Sequence, residues 1–90
     1  MTLLRDRSAE GRMELDIQGH VVFANYRRQA GRLVIDHVEA PAALRGSGAA
    51  GELMAAIAAK ARVDGDLIIP LCGYAAAWLK RHPEHKDLIA

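Results

Sequence analysis

The sequence predicts a single α+β domain: a three-strand antiparallel meander, a helix, a fourth strand and a C-terminal helix. Three observations carry this expectation. The chain has 90 residues, the length of one small core. Residues 12–40 alternate between apolar and polar side chains and are interrupted by two short glycine-bearing connections. From Ala50 onward the period changes from two to that of a helix.

In the first strand Met13, Leu15 and Ile17 share one face and Glu14 and Asp16 the other; "HVVFANYRR" and "RLVIDHVEA" supply the next two. Gly19 and Gly31 lie in connections short enough for tight hairpins. Pro41 opens a loop. Ala50, Leu53, Met54, Ile57, Ala58 and Ala61 then follow i, i+3, i+4 spacing, with Lys60 and Arg62 in the last turn and Gly65 as the stop. "DLIIPLC" is a short continuous apolar run, read as a strand buried on both faces. Pro70 within it cannot donate to a ladder, so on its nitrogen side the strand lies at an edge or has parted from its neighbour. "YAAAWLKRH" forms the last helix and stops before Pro83, with Trp78, Tyr74 and Leu79 as its apolar face. The whole chain, 1–90, is read as one domain, with residues 1–10 a candidate disordered stretch.

Composition narrows the partners. The chain is 51% hydrophobic with a formal net charge of +1, which suits a globular domain and gives no basic stripe for nucleic acid. Arg27 with Arg28 and Lys80 with Arg81 read as solvated surface. The single cysteine, Cys72, cannot form an internal disulfide, and neither a signal-peptide h-region nor an apolar run of membrane-spanning length is present. The expected location is the cytoplasm, without membrane or nucleic-acid partners.

The stretch "ALRGSGAAGEL", residues 43–53, sets an arginine and three glycines against the start of the long helix. Free N–H groups and the positive end of the helix dipole make such a place suited to an anion. On the alternative reading Gly46 and Gly48 only turn the chain, and Gly51 lets helix pack on sheet. A Walker loop is excluded because Glu52 and Leu53 follow Gly51. Gly46, Gly48 and Gly51 match the dinucleotide fingerprint by letter, with Asp66 at the acidic position, but a proline loop and an antiparallel meander precede them instead of a first parallel strand.

Arg45, Gly48 and Ala50 fit Gln/Arg-x-x-Gly-x-Gly/Ala, and the stretch resembles the acyl-CoA signature of the GNAT superfamily of N-acyltransferases. His37, Glu39 and Pro41 before the loop, and Pro70, Cys72, Tyr74, His82, Pro83 and Glu84 after it, resemble a short single-domain subgroup over residues 12–89. The resemblance implies a fourth strand parallel to the third, splayed from it to admit the pantetheine arm. It implies acetyl-CoA as co-substrate, its pyrophosphate held by the loop of Arg45, Gly46, Ser47, Gly48, Ala49, Ala50 and Gly51. Val38 and Ala40 on one strand, and Cys72 and Gly73 beyond the other, would line the arm, with the Val38 N–H polarising the thioester carbonyl. The acceptor is an unidentified amine. This chain has no length for the N-terminal helices and C-terminal strands that shape the family's acceptor site, so that site is an open surface or is completed by a dimer partner. A monomer or weak homodimer is expected.

Acetyl transfer needs a base and a proton donor. His37 and Glu39, on one strand face with Leu33 and Ile35, are the base candidates; the alternative is simple exposure where the strand frays. Cys72 precedes a helix whose dipole favours a thiolate, which makes it a candidate acetyl-accepting nucleophile; the alternative is a small apolar residue lining the thioester. Tyr74 is a candidate proton donor to the leaving thiolate, or packs. His82 and His85 lack the spacing of a zinc site, so no metal is expected. Besides an acetyltransferase, the chain is consistent with a non-catalytic acetyl-CoA-binding protein, or with a small structural domain whose glycines only pack.

Overall fold

The computed structural model describes residues 3–90, and its sheet runs in the order β1-β2-β3-β4-β5. The strands are β1 (Arg5–Arg7), β2 (Arg12–Ile17), β3 (His20–Gln29), β4 (Arg32–Glu39) and β5 (Leu67–Pro70). The first four pair antiparallel, and β5 lies parallel to β4. Two helices, α1 (Ala49–Asp64) and α2 (Gly73–Arg81), follow β4 and β5, and 3₁₀ turns cover Ser8–Glu10, Ala42–Leu44 and Pro83–Leu88. No helix is long and apolar enough to cross a membrane, among the described residues.

The alternation read in the sequence puts Met13, Leu15, Val22, Ala24, Tyr26, Leu33 and Ile35 on one sheet face. There they meet Leu53, Met54 and Ile57 of α1 and Ala75, Trp78 and Leu79 of α2 in one core. Each fully buried Leu, Ile or Met there contributes about 1.5–3 kcal/mol of transfer free energy. Helix α1 ends as expected, at Gly65 in the left-handed region (φ +75°). On its N-terminal side, however, Ala49 is buried and Ala50 only half-buried.

Within the stretch expected to be disordered, residues 5–7 form β1, while residues 1 and 2 lie outside the described residues. A strand of sequence "RDR" has no apolar period. It is held instead by pairing with β2, by the ion pairs of Arg5 with Glu14 and Asp16, and by the hydrogen bond from the Tyr26 hydroxyl to Asp6. The meander therefore has four strands, one more than alternation revealed.

The second sheet face carries no helix. Arg5, Arg7 and Arg12 converge on Glu14, with closest N–O distances of 3.2, 3.7 and 3.6 Å, and the Arg12 guanidinium lies 3.8 Å from the centroid of the Phe23 ring. These side chains shield Glu14, which is buried without a covering helix.

The expectation that His37 and Glu39 share a face with Leu33 and Ile35 is corrected by a β-bulge. Tyr26 pairs with Ile35 but Asn25 with His37, leaving Asp36 as the extra residue in β4. A bulge reverses the alternation beyond it. Val38 and Ala40 consequently pack toward the core, whereas His37 stacks edge-on against Phe23 of the open face, with ring centroids 6.5 Å apart. Arg27 donates to both carboxylate oxygens of Asp36 at 2.9 and 2.8 Å and so fastens the bulge.

Candidate functional site

β4 outlasts its parallel partner. The last pair in the β4–β5 register is Ile35 with Pro70, and the Ile35 carbonyl accepts the N–H groups of Leu71 and Cys72, each at 3.0 Å. Residues 36–39 of β4 continue without β5 beside them, so a gap opens at this fork. Antiparallel pairs alternate between bonded and non-bonded. The Tyr26 N–H goes to Gly11 on the β2 side, and Ile35 bonds toward β5, so Tyr26 and Ile35 are a non-bonded pair. Counting on through Asn25–His37 to Ala24–Val38 directs the backbone groups of Val38 into the gap.

Pro70 does not itself make the gap. The Leu67 N–H bonds Gly31 on the β4 side, so by alternation the Pro70 nitrogen faces the outer edge of the sheet. Of the two ways to accommodate it, the edge is the one realised.

Just past the end of β4 lies a cleft of about 330 Å³ lined by Ala40, Leu44, Arg45, Gly46, Gly48, Ala49, Ala50 and Tyr74. Gly46 and Gly48 take φ of +82° and +85°, and a Cβ at either would meet nothing within 4 Å. They are glycines for their backbone conformation. Gly48 is the N-cap of α1 and offers no side-chain oxygen, and the first helical bond runs from the Glu52 N–H to the Gly48 carbonyl at 3.0 Å. The N–H groups of Ala49, Ala50 and Gly51 thus have no intrahelical acceptor and stand at the positive end of the dipole. Ser47 and Arg45 are exposed beside them, and Arg45 forms no salt bridge among the described residues.

Gly51 differs. A Cβ there would lie 3.3 Å from Trp78 Nε1 and 3.6 Å from the Tyr74 hydroxyl. It permits close approach of α1 to α2, not of helix to sheet. The same contact explains why Tyr74 is not part of the buried face of α2: Trp78 and Leu79 are buried, but Tyr74 is 38% exposed and closes one wall of the cleft.

Cys72 is the N-cap of α2. Its carbonyl accepts the Ala76 N–H at 3.0 Å and its N–H is taken by Ile35, so its backbone is fixed at the closed end of the gap; the half-buried side chain contacts the core and caps nothing. Gly73 is exposed as the first residue of α2. His37 Nε2 and Glu39 Oε1 are 2.9 Å apart on the open face, each side chain about half exposed (53% and 55%). The fold therefore brings Ala40, Arg45, Gly46, Gly48, Ala49, Ala50 and Tyr74 to one cleft and Cys72 to the fork, while Ser47 and Gly51 do not line that cleft. His37 and Glu39 stand on the other side of β4. Leu44, which lines the cleft, escaped the sequence reading because its only signal is one apolar residue in a proline loop.

His82 stacks on Trp78 (centroids 3.9 Å apart, planes at 16°) with Nδ1 2.7 Å from the Trp78 carbonyl oxygen, and His85 lies beyond it at 5.6 Å from Trp78. No three side chains of metal-ligating type converge among the described residues.

The sequence profile of the GCN5-related N-acetyl-transferase domain matches residues 12–88. The chain belongs to this family. As a member it is an acetyltransferase domain, and acetyl-CoA is the family's co-substrate. The fold agrees: the solution NMR structure of a GCN5-like protein from Staphylococcus aureus superposes with a TM-score of 0.69 at 21% identity, covering 97% of this chain and 86% of that one. None of the curated proteins matches the chain.

Proposed function

We propose that the chain is an N-acetyltransferase that binds acetyl-CoA with the pyrophosphate on the 45–51 loop and the pantetheine arm in the gap between β4 and β5. The observation that carries this reading is the fork at Ile35: β4 and β5 part there, and just past the end of β4, at Ala40, lies a cleft beside the free N–H groups of the α1 N-terminus. Arg45 supplies a nearby positive charge, and Gly46, Ser47, Gly48, Ala49, Ala50 and Gly51 supply backbone close enough for an anion. The bound thioester reaches the fork, where the Val38 N–H polarises its carbonyl.

The His37–Glu39 pair acts as the base on the open face. It removes a proton from an amine arriving there; the amine nitrogen bonds to the carbonyl carbon, the carbon–sulfur bond breaks, and Tyr74 returns a proton to the departing thiolate. Cys72 and Gly73 line the thioester end. The uncovered face supports an acceptor that approaches from solvent. The lone Cys72 supports a reducing compartment, the cytoplasm.

A second reading makes Cys72 the nucleophile, favoured by its fixed position at the fork. The thiolate then takes the acetyl group, releases CoA and passes the group to the amine. A rapid-quench mass spectrum of the protein mixed with acetyl-CoA alone separates the two. Direct transfer leaves the protein unmodified; an acetyl adduct on Cys72 establishes the two-step route. A third outcome, saturable binding with no acetyl-CoA consumed over a broad panel of amines, would leave a binding protein without turnover.

A further inference from the structure

A second cleft, about 340 Å³, lies on the far side of α2 from the acetyl-CoA cleft, lined by Pro70, Ala76, Leu79, Lys80, Pro83, Lys86 and Ile89. Ala76, Leu79, Lys80 and Pro83 recur at i, i+3, i+4 and i+7, so one stripe of α2 and the turn after it makes the floor, and the end of β5 and Ile89 make the wall. Its volume falls near the low end of small-molecule sites, typically about 300–1,000 Å³. Every lining residue is apolar except Lys80 and Lys86. Both lysines are exposed, neither forms a salt bridge among the described residues, and no acidic residue lines the cleft.

The neighbouring sheet edge is already spent. Ile68 bridges Ile89, its carbonyl accepts the Ala90 N–H at 2.9 Å, and Pro70 has no N–H to offer. An extended peptide adding itself as a strand has little backbone to pair with here. An apolar cleft lined by two lysines without ion-pair partners among the described residues instead fits a small amphiphile with one anionic head, its stem on Ala76, Pro70 and Ile89 and its head toward Lys80 and Lys86.

We propose that this cleft is a binding site for a small aliphatic carboxylate. It is independent of the acetyl-CoA reading, since it shares no residue with the first cleft.

The test is an NMR titration of the full chain with sodium octanoate, and with octylammonium at the same concentrations. Saturable shifts at Ala76, Leu79, Lys80 and Ile89 with octanoate, and none with octylammonium, are expected. The Lys80→Glu, Lys86→Glu double variant, with an unchanged urea midpoint as evidence of folding, should bind octanoate about fivefold or more weakly, as loss and reversal of two exposed charges would give. Equal response to both amphiphiles, shifts centred on Gly46 and Gly48 instead, or an unaltered affinity in the folded double variant would each overturn the proposal.

Discussion

Cys72 gives its backbone N–H to the carbonyl of Ile35, 3.0 Å away, at the point where β4 and β5 part. The bond uses none of the side chain. Cys72→Ala should therefore retain acetyl-CoA affinity and, under direct transfer, lose less than about tenfold in kcat/KM, well below the ~10²–10⁴ of a lost acid or base. Steady-state kinetics with Cys72→Ala and Cys72→Ser checks this; complete loss of turnover in both variants, with binding intact, would favour the cysteine nucleophile.

Glu39 and His37 carry the opposite expectation. Under direct transfer Glu39→Gln and His37→Ala each lower kcat by about 10²-fold or more while the KM for acetyl-CoA stays near its wild-type value, because neither residue lines the 45–51 cleft. The kcat-against-KM split is the readout. A rise in KM with kcat preserved would assign the pair to substrate binding.

Gly48 is left-handed with open space where a Cβ would go, so the stability cost of substituting it reports backbone conformation alone. Gly48→Ala should destabilise the fold by about 1–2 kcal/mol, the cost of the left-handed region for an L-residue. Gly48→Asn should recover part of that, since asparagine tolerates the conformation better. Urea unfolding of the two variants gives the comparison; equal stability of wild type and Gly48→Ala would refute the conformational account.

The bulge at Asp36 has a pH signature. The hydrogen bonds and charge of Arg27 hold the Asp36 carboxyl below its ordinary value. A carboxyl depressed in the folded state contributes stability that is present above its unfolded pKa, about 3.9, and is lost as pH falls through the folded value. Asp16 beside Arg5 and Asp87 beside Arg62 act in the same sense, so stability should decline on the acid side below about pH 4. In Arg27→Gln the Asp36 carboxyl should titrate higher than in wild type by carboxyl-detected NMR; an unchanged titration would mean that the pair does not hold the bulge.

What periodicity could reveal, it did: β2 to β4 and both helices follow from spacing, because half-buried elements imprint their period on the chain. The apolar run 66–72 does form β5, but not the strand buried on both faces that such a run suggests: Ile68 is buried, whereas Leu67 and the following Leu71 are exposed at the sheet edge. Its failures have separate causes. β1 is three charged residues whose order comes from partners on β2, and no local pattern marks it. The bulge leaves "VIDHVE" looking like an unbroken alternation, so His37 and Glu39 were expected on the face they do not occupy. Gly51 faces Trp78, 27 positions later, a contact that spacing within one helix does not contain. Of the candidate site, Gly46 and Gly48 were legible because positive-φ glycines before a helix are a local requirement; the direction of the Val38 backbone depends on the bulge, so spacing did not carry it and only the family resemblance implied it.

The most direct test of the central claim is a titration of isotope-labelled protein with acetyl-CoA, following the amides of Val38, Gly46, Gly48, Ala50 and Cys72. Saturable shifts concentrated at these positions, weakened in Gly48→Ala, are what a pyrophosphate on the loop and an arm in the gap require. Spectra unchanged up to millimolar ligand would contradict the account and leave the glycines to the fold alone.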